Sequence, residues 1–186
     1  MAAAAEWLEG ARPRTLPTAI APVLAGTAIA ITDGGARWGL AALCLVVALG
    51  LVIGVNFAND YSDGVRGSDG EDRVGPLRLV GSGLAEPSHV RVAAFACFAV
   101  SAVAGLVITI MTGHWWFIAV GVVCILAAWF YTGGSHPYGY AGLGEIFVFI
   151  FFGLVAVGGT IYVQTDHVGA AGWVTACLIG ATACGV

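Results

Sequence analysis

Six apolar runs constrain this chain more than any other feature. They cover roughly residues 16–32, 38–58, 91–111, 114–131, 143–164 and 170–186. Each is close to the ~20 residues that a helix needs to cross a hydrocarbon core about 30 Å thick. Lipid offers backbone amides no water, so spanning segments of this kind close their hydrogen bonds internally as helices. The composition agrees: 59% of the 186 residues are hydrophobic and 10% are charged, against roughly 25% charged in an average soluble domain. The expected fold is therefore all-α, a polytopic membrane helical bundle of about six crossings, with residues 1–186 as one domain. The 28 glycines suit close helix contact, and Gly50 and Gly54 form a G-x-x-x-G step whose plainest role is helix packing.

Arginine distribution orients the bundle. There is no lysine, and the arginines stand at 12, 14, 37, 66, 73, 78 and 91. An even number of crossings places the N-terminus and the 59–90 loop on one side, which then holds six of those seven arginines. By the positive-inside rule that side is cytoplasmic, in a cell membrane. Trp38, Trp115 and Trp116 sit at run ends, where interfacial anchors belong. The net charge of −4 reflects a local mixture of acidic and basic residues in the 59–90 loop and says little about partners. Glu6 and Glu9 precede the first run, unlike a basic secretory leader, so that run reads as a retained helix. Cys44, Cys97, Cys124, Cys177 and Cys184 all lie in apolar runs and read as small hydrophobes. Four scattered histidines lack metal-ligand spacing, and no nucleic-acid signature or P-loop is present.

The chemistry concentrates where the second run ends, at Asn56-Phe-Ala-Asn59-Asp60-Tyr-Ser-Asp63-Gly-Val-Arg66-Gly-Ser-Asp69. Polar groups at a membrane boundary are costly and are commonly functional. If the helix continues two more turns, Asn56, Asp60 and Asp63 fall at i, i+4 and i+7 on one face. Oxygen ligands clustered on one face suit Mg²⁺, which often shares its shell with substrate phosphate. Asn56, Asp60 and Asp63 are thus candidate metal ligands for a membrane-embedded diphosphate site.

The same loop continues Arg73-Val-Gly-Pro-Leu-Arg78-Leu-Val-Gly-Ser-Gly. Arg73 and Arg78 could clamp a diphosphate by charge-assisted hydrogen bonds, or could simply follow the positive-inside rule. For Arg66 and Arg91 the second account is the better one. On the same side lies the stretch from Tyr131 through Tyr138 and Tyr140 to Glu145. A carboxylate opening an apolar run should face the bundle interior or a wet cavity, so Glu145 either partners an arginine or lines a substrate cavity.

The pattern from Asn56 to Asp69, followed by Arg73-x-Gly-Pro-x-Arg78, resembles the first aspartate-rich motif of UbiA-type intramembrane prenyltransferases. Ala11-Arg-Pro-Arg-Thr-Leu16 and the stretch from Tyr131 to Glu145 resemble more narrowly the branch acting on 1,4-dihydroxy-2-naphthoate in menaquinone synthesis. The resemblance spans nearly the whole chain in three separated motifs. It implies a Mg²⁺-dependent transfer from polyprenyl diphosphate to the naphthoate ring, with loss of diphosphate and CO₂ and formation of demethylmenaquinol. It further implies catalytic Asp60, Asp63, Arg73 and Arg78, and substrate contacts from Asn59, Asp69, Tyr131, Tyr138, Tyr140 and Glu145. The tyrosine rings could face an allylic cation or serve as interfacial anchors. The membrane would supply the lipid tail.

One departure stands out. The family has nine helices and a second aspartate-rich motif after the sixth, whereas here the only acidic residue after Glu145 is Asp166, on the opposite side. The expectation is a chain cut before that motif, inactive on its own. Alternatives are another aromatic acceptor such as 4-hydroxybenzoate, and a non-catalytic transporter or structural membrane protein. A third is a CDP-alcohol phosphatidyltransferase, which Asp60-Tyr-Ser-Asp63-Gly64 matches only in part.

Overall fold

A computed structural model describes residues 2–67, 77–135 and 137–185. Among the described residues it is wholly helical, without strands: α1 (Ala4–Gly10), α2 (Pro17–Thr32), α3 (Trp38–Arg66), α4 (Pro87–Thr112), α5 (Phe117–Phe130), α6 (Gly144–Thr165) and α7 (Ala170–Ala183). All six apolar runs become helices. Among the described residues, only α3, α4 and α6 are long and apolar enough to span a membrane individually, and the α1–α2 pair, bent by 50°, makes a fourth candidate. The runs at 114–131 and 170–186 yield helices of 14 residues each, about 21 Å at 1.5 Å per residue. In the first of these, His114, Trp115 and Trp116 form the turn before α5 and take no part in the helix.

Local sequence explains the boundaries. Pro17 and Pro87 occupy the first positions of α2 and α4, where the absent N–H is no loss. Gly67 (φ 69°) and Gly113 (φ 75°) close α3 and α4 in the left-handed conformation that favours glycine. At 29 residues α3 is about 43 Å long, so its last turns reach past a hydrocarbon core of about 30 Å. The aspartate-rich stretch begins on those turns.

Helix α4 buries Val90, Ala94, Phe98, Ser101, Ala104 and Ile108 at helical spacing, yet its outer face shows Val92, Val100, Val103 and Ile110. Apolar residues on both faces fit a helix with the bundle on one side and lipid on the other. It packs on α3 through the glycine step. A Cβ at Gly50 would strike Ser101 Oγ, and one at Gly54 would strike the Phe98 ring. Ser101 Oγ in turn donates to the carbonyl of Val47 at 3.1 Å. Helix α6 contains a π-helical segment, Phe149–Val155, where it meets α7. There a Cβ on Gly153 would lie 2.5 Å from the Ala176 carbonyl, so only glycine permits the approach. A core of Phe57, Ala58, Leu79, Val90, Ala94, Phe98 and Ala128 lies where the aspartate-rich end of α3 meets the start of α4, packed against Trp7 of α1.

Candidate active site

The helix continues through the aspartates, as their spacing requires, and buries them. Asn56, Asn59, Asp60 and Asp63 are all buried on the last three turns of α3. Asp60 is 1% exposed. Its Oδ2 accepts the Leu79 amide at 2.7 Å and its Oδ1 accepts the Val80 amide at 3.0 Å. Leu79 is fully buried in the core between α1 and α3, while Val80 presses on Gly64. Asp60 thus ties the end of the polar loop to the helix. That tie brings Arg78 over the next carboxylate, where its Nη2 donates to Asp63 Oδ2 at 2.7 Å. Both side chains are nearly buried, so this pair is little weakened by solvent.

The N-terminal motif docks on the same turns. Asn56 Nδ2 donates to the Ala11 carbonyl and to Thr15 Oγ1, both at 2.9 Å. Arg12, in the left-handed region at φ 56°, lies close enough for its charge to act on Asp60.

The tyrosine-rich stretch closes the other side. Thr132 Oγ1 donates to Asn59 Oδ1 at 2.7 Å, and the Tyr140 hydroxyl donates to Asp63 Oδ1. Arg66 donates to the carbonyls of Thr132 and Gly134 and stands 5.6 Å from the centre of the Tyr140 ring. The Tyr138 hydroxyl donates to the Ala127 carbonyl at 2.8 Å, and its ring stacks on Phe147 at 4.1 Å. Burial, reinforced by nearby Tyr131, pushes the Tyr138 phenol up to about 12. The Tyr140 phenol is also raised, by desolvation and then by Asp63, although the residue is 58% exposed. Both therefore remain hydrogen-bond donors across the physiological range.

Below this polar head opens an apolar cavity of about 640 Å³. Asn56, Thr15, Tyr131 and Tyr138 line it near the aspartates, and Val47, Leu51, Ile125 and Phe151 line its apolar walls. Along α3 the lining runs from Asn56 to Cys44, about 18 Å of helix.

The sequence-predicted residues divide clearly. Asn56, Asn59, Asp60, Asp63, Arg78, Tyr131, Tyr138 and Tyr140 come together around one helix end. Asp69 and Arg73 lie outside the described residues. Glu145 departs from its expected inward setting: it is exposed in the first turn of α6, where the helix dipole favours a carboxylate, and it does not line the cavity. Thr132 and Arg66 were not foreseen as site residues. Arg66 had a legible signal, since residues 59, 63 and 66 share a helical face.

As a Mg²⁺ site the donors fit in kind. Asn56 bonds through its nitrogen, which leaves the amide oxygen available. Each carboxylate oxygen of Asp60 and Asp63 accepts one protein donor and keeps a further lone pair. Among the described residues no three of His, Cys, Asp and Glu come close enough to hold a metal by themselves. Asn56 and a substrate oxygen would have to complete the set.

Comparison with known proteins accords with this architecture. The UbiA prenyltransferase family profile matches residues 19–186. The chain is 58% identical over its whole length to the 1,4-dihydroxy-2-naphthoate octaprenyltransferase of Mycobacterium tuberculosis (strain ATCC 25618 / H37Rv), of which it covers 63%. Over 97% of its length it is 39% identical to the protein of that name from Escherichia coli (strain K12), covering 58% of it. A 2-carboxy-1,4-naphthoquinone phytyltransferase of Synechocystis sp. (strain ATCC 27184 / PCC 6803 / Kazusa) is 26% identical over 86% of the chain, which covers 51% of that protein. The chain therefore spans about three-fifths of the length of these 1,4-dihydroxy-2-naphthoate octaprenyltransferases. No solved structure matches it. Family profile, full-length similarity and an all-helical bundle with a buried Asn-Asp cluster lead to one conclusion: the chain belongs to the UbiA prenyltransferase family.

Proposed function

We propose that this chain is part of a membrane enzyme of menaquinone synthesis. The enzyme transfers a polyprenyl group from polyprenyl diphosphate to 1,4-dihydroxy-2-naphthoate, releasing diphosphate and CO₂ and giving demethylmenaquinol. The observation that carries this reading is that a 640 Å³ apolar cavity reaches Asn56, Tyr131 and Tyr138, on the same helix end that carries the buried Asp63–Arg78 pair. An anion bound at the head places its hydrocarbon tail in that cavity. The names of the relatives support the acceptor. The arginine-rich end bearing the head faces the cytoplasm in this reading.

Each residue has a chemical task. Arg78 meets the diphosphate oxygens and offsets the negative charge that grows as the allylic C–O bond breaks. Tyr140 and Arg78 together orient Asp63, while Asp60 keeps Arg78 in place through the Leu79 and Val80 amides. Asn56, Asp60 and Asp63 would hold Mg²⁺, which supplies Lewis-acid stabilisation of the leaving diphosphate. Tyr131 and Tyr138 line the cavity near Asn56, where their rings can stabilise the allylic cation. The apolar walls exclude water until the electron-rich ring forms the new C–C bond and its carboxylate departs as CO₂.

The test is an assay of the intact gene product in detergent or vesicles, following prenylated product and released diphosphate. We expect turnover with dihydroxynaphthoate that EDTA abolishes, and an Asp63→Asn loss of about 10²–10³-fold in kcat. Prenylation of 4-hydroxybenzoate without dihydroxynaphthoate would overturn the acceptor assignment. Absence of any diphosphate release would support the non-catalytic alternative.

A further inference from the structure

The reaction scheme gives Arg66 no task, yet its setting is more specific than that of a surface cation at a membrane boundary. It forms the last turn of α3 and sends two N–H groups to the carbonyls of Thr132 and Gly134. Gly134 has a left-handed φ of 78°. The guanidinium also lies 5.6 Å from the centre of the Tyr140 ring. One turn back, Asp63 accepts the Tyr140 hydroxyl, and a further turn back Asn59 accepts the Thr132 hydroxyl. Positions 59, 63 and 66 therefore form one continuous stripe that grips residues 132, 134 and 140. Flanking those contacts are Tyr131 and Tyr138, which line the cavity beneath the polar head. The backbone here is further tied where the Gly139 amide donates to the Tyr131 carbonyl at 2.9 Å.

We propose that Arg66 is a positioning residue for prenyl transfer: by bonding the Thr132 and Gly134 carbonyls and covering Tyr140, it holds Tyr131 and Tyr138 over the cavity head and keeps Asp63 turned toward Arg78. It touches neither substrate nor the reacting atoms. Its effect reaches the chemistry through the aromatic cover above the allylic cation. If that cover loosens, water reaches the cation, adds to its terminal carbon and loses one proton, giving the free polyprenyl alcohol in place of the prenylated ring. This inference rests on the proposed prenyl transfer, and it predicts a shift in product partition as well as in rate.

The experiment compares the intact wild-type protein with Arg66→Ala and Arg66→Lys by two independent readouts. Hydrogen exchange of the 131–135 and 138–141 amides measures the grip without reference to chemistry. The ratio of polyprenyl alcohol to prenylated dihydroxynaphthoate measures the cover. For Arg66→Ala we expect exchange in these segments to rise on the order of tenfold, with a raised alcohol ratio and a kcat that falls more than KM rises. Arg66→Lys keeps a cation beside Tyr140 but loses the forked contact to two carbonyls, so it should recover part of both effects. Unchanged exchange in Arg66→Ala overturns the proposal whatever the activity. Faster exchange with unchanged partition and kinetics also overturns it, because Arg66 would then be only a structural tie. If the wild type releases no diphosphate at all, the prenyl-transfer reading fails, and with it the positioning role, even where exchange shows that the grip exists.

Discussion

At the scale of single residues, the site is built from carboxylates whose partners are far away in sequence. Asp60 reads as a metal ligand from its spacing, and in the fold it also anchors the chain 19 and 20 residues ahead through two backbone amides. These duties can be separated. Asp60→Asn retains size and shape but turns one of its two acceptors into a donor facing a buried N–H. We expect a loss of about 1–3 kcal/mol, visible as a lower unfolding temperature in detergent without substrate or Mg²⁺. Among the described residues, the partners of Asp63 are the Arg78 and Tyr140 side chains and not backbone amides. Asp63→Asn should therefore disturb turnover far more than it disturbs exchange in the 79–80 amides. Glu145 teaches the converse lesson. Its place in the sequence suggested an inward carboxylate, but the first turn of a helix accommodates it in an exposed position.

At the scale of elements, the helices were legible because their signals are local. Apolar runs, proline at the first helical positions and glycine beyond the last ones all act within a few residues. The glycine step on α3 belongs to the same class, but its consequence lies on the neighbouring helix. Gly54 faces the Phe98 ring and Gly50 faces Ser101, with no room for a side chain at either. Gly54→Leu must push α4 away from α3 or displace Phe98 from the core beneath the site. We expect a destabilisation of about 1–3 kcal/mol, in the range of overpacked interiors, measured by thermal unfolding in detergent. Less legible were the π-helical segment of α6 and the shortness of α5. The π-helical segment lies where α6 meets α7 at Gly153 and Gly180, and α5 is shortened by the turn at His114, Trp115 and Trp116.

At the scale of the whole molecule, polar groups are sorted to two ends. One end gathers the N-terminal motif, the aspartates, Arg78 and the tyrosine stretch. The other holds the Arg37 amide on Gln164 Oε1 at 3.1 Å and His114 Nε2 against Asp166 Oδ1 at 2.7 Å. If arginine content sets orientation, the Arg37 end lies outside the cytoplasm. An Ala36→Cys variant should then react with a membrane-impermeant thiol reagent in intact cells, whereas Ala85→Cys should react only after the membrane is opened. The reverse pattern would invert the topology. The sequence by itself determined the helical membrane class and the family. It also determined that Asn56, Asp60 and Asp63 share a face, because helical periodicity and lipid solvation act on neighbouring residues. Only the tertiary structure decided which donors those carboxylates meet, that Arg66 and Thr132 join the site, and that Asn56 lines an apolar cavity. Those outcomes depend on contacts between segments 15 to 77 residues apart, and no local pattern encodes which of many possible partners will be nearest after packing.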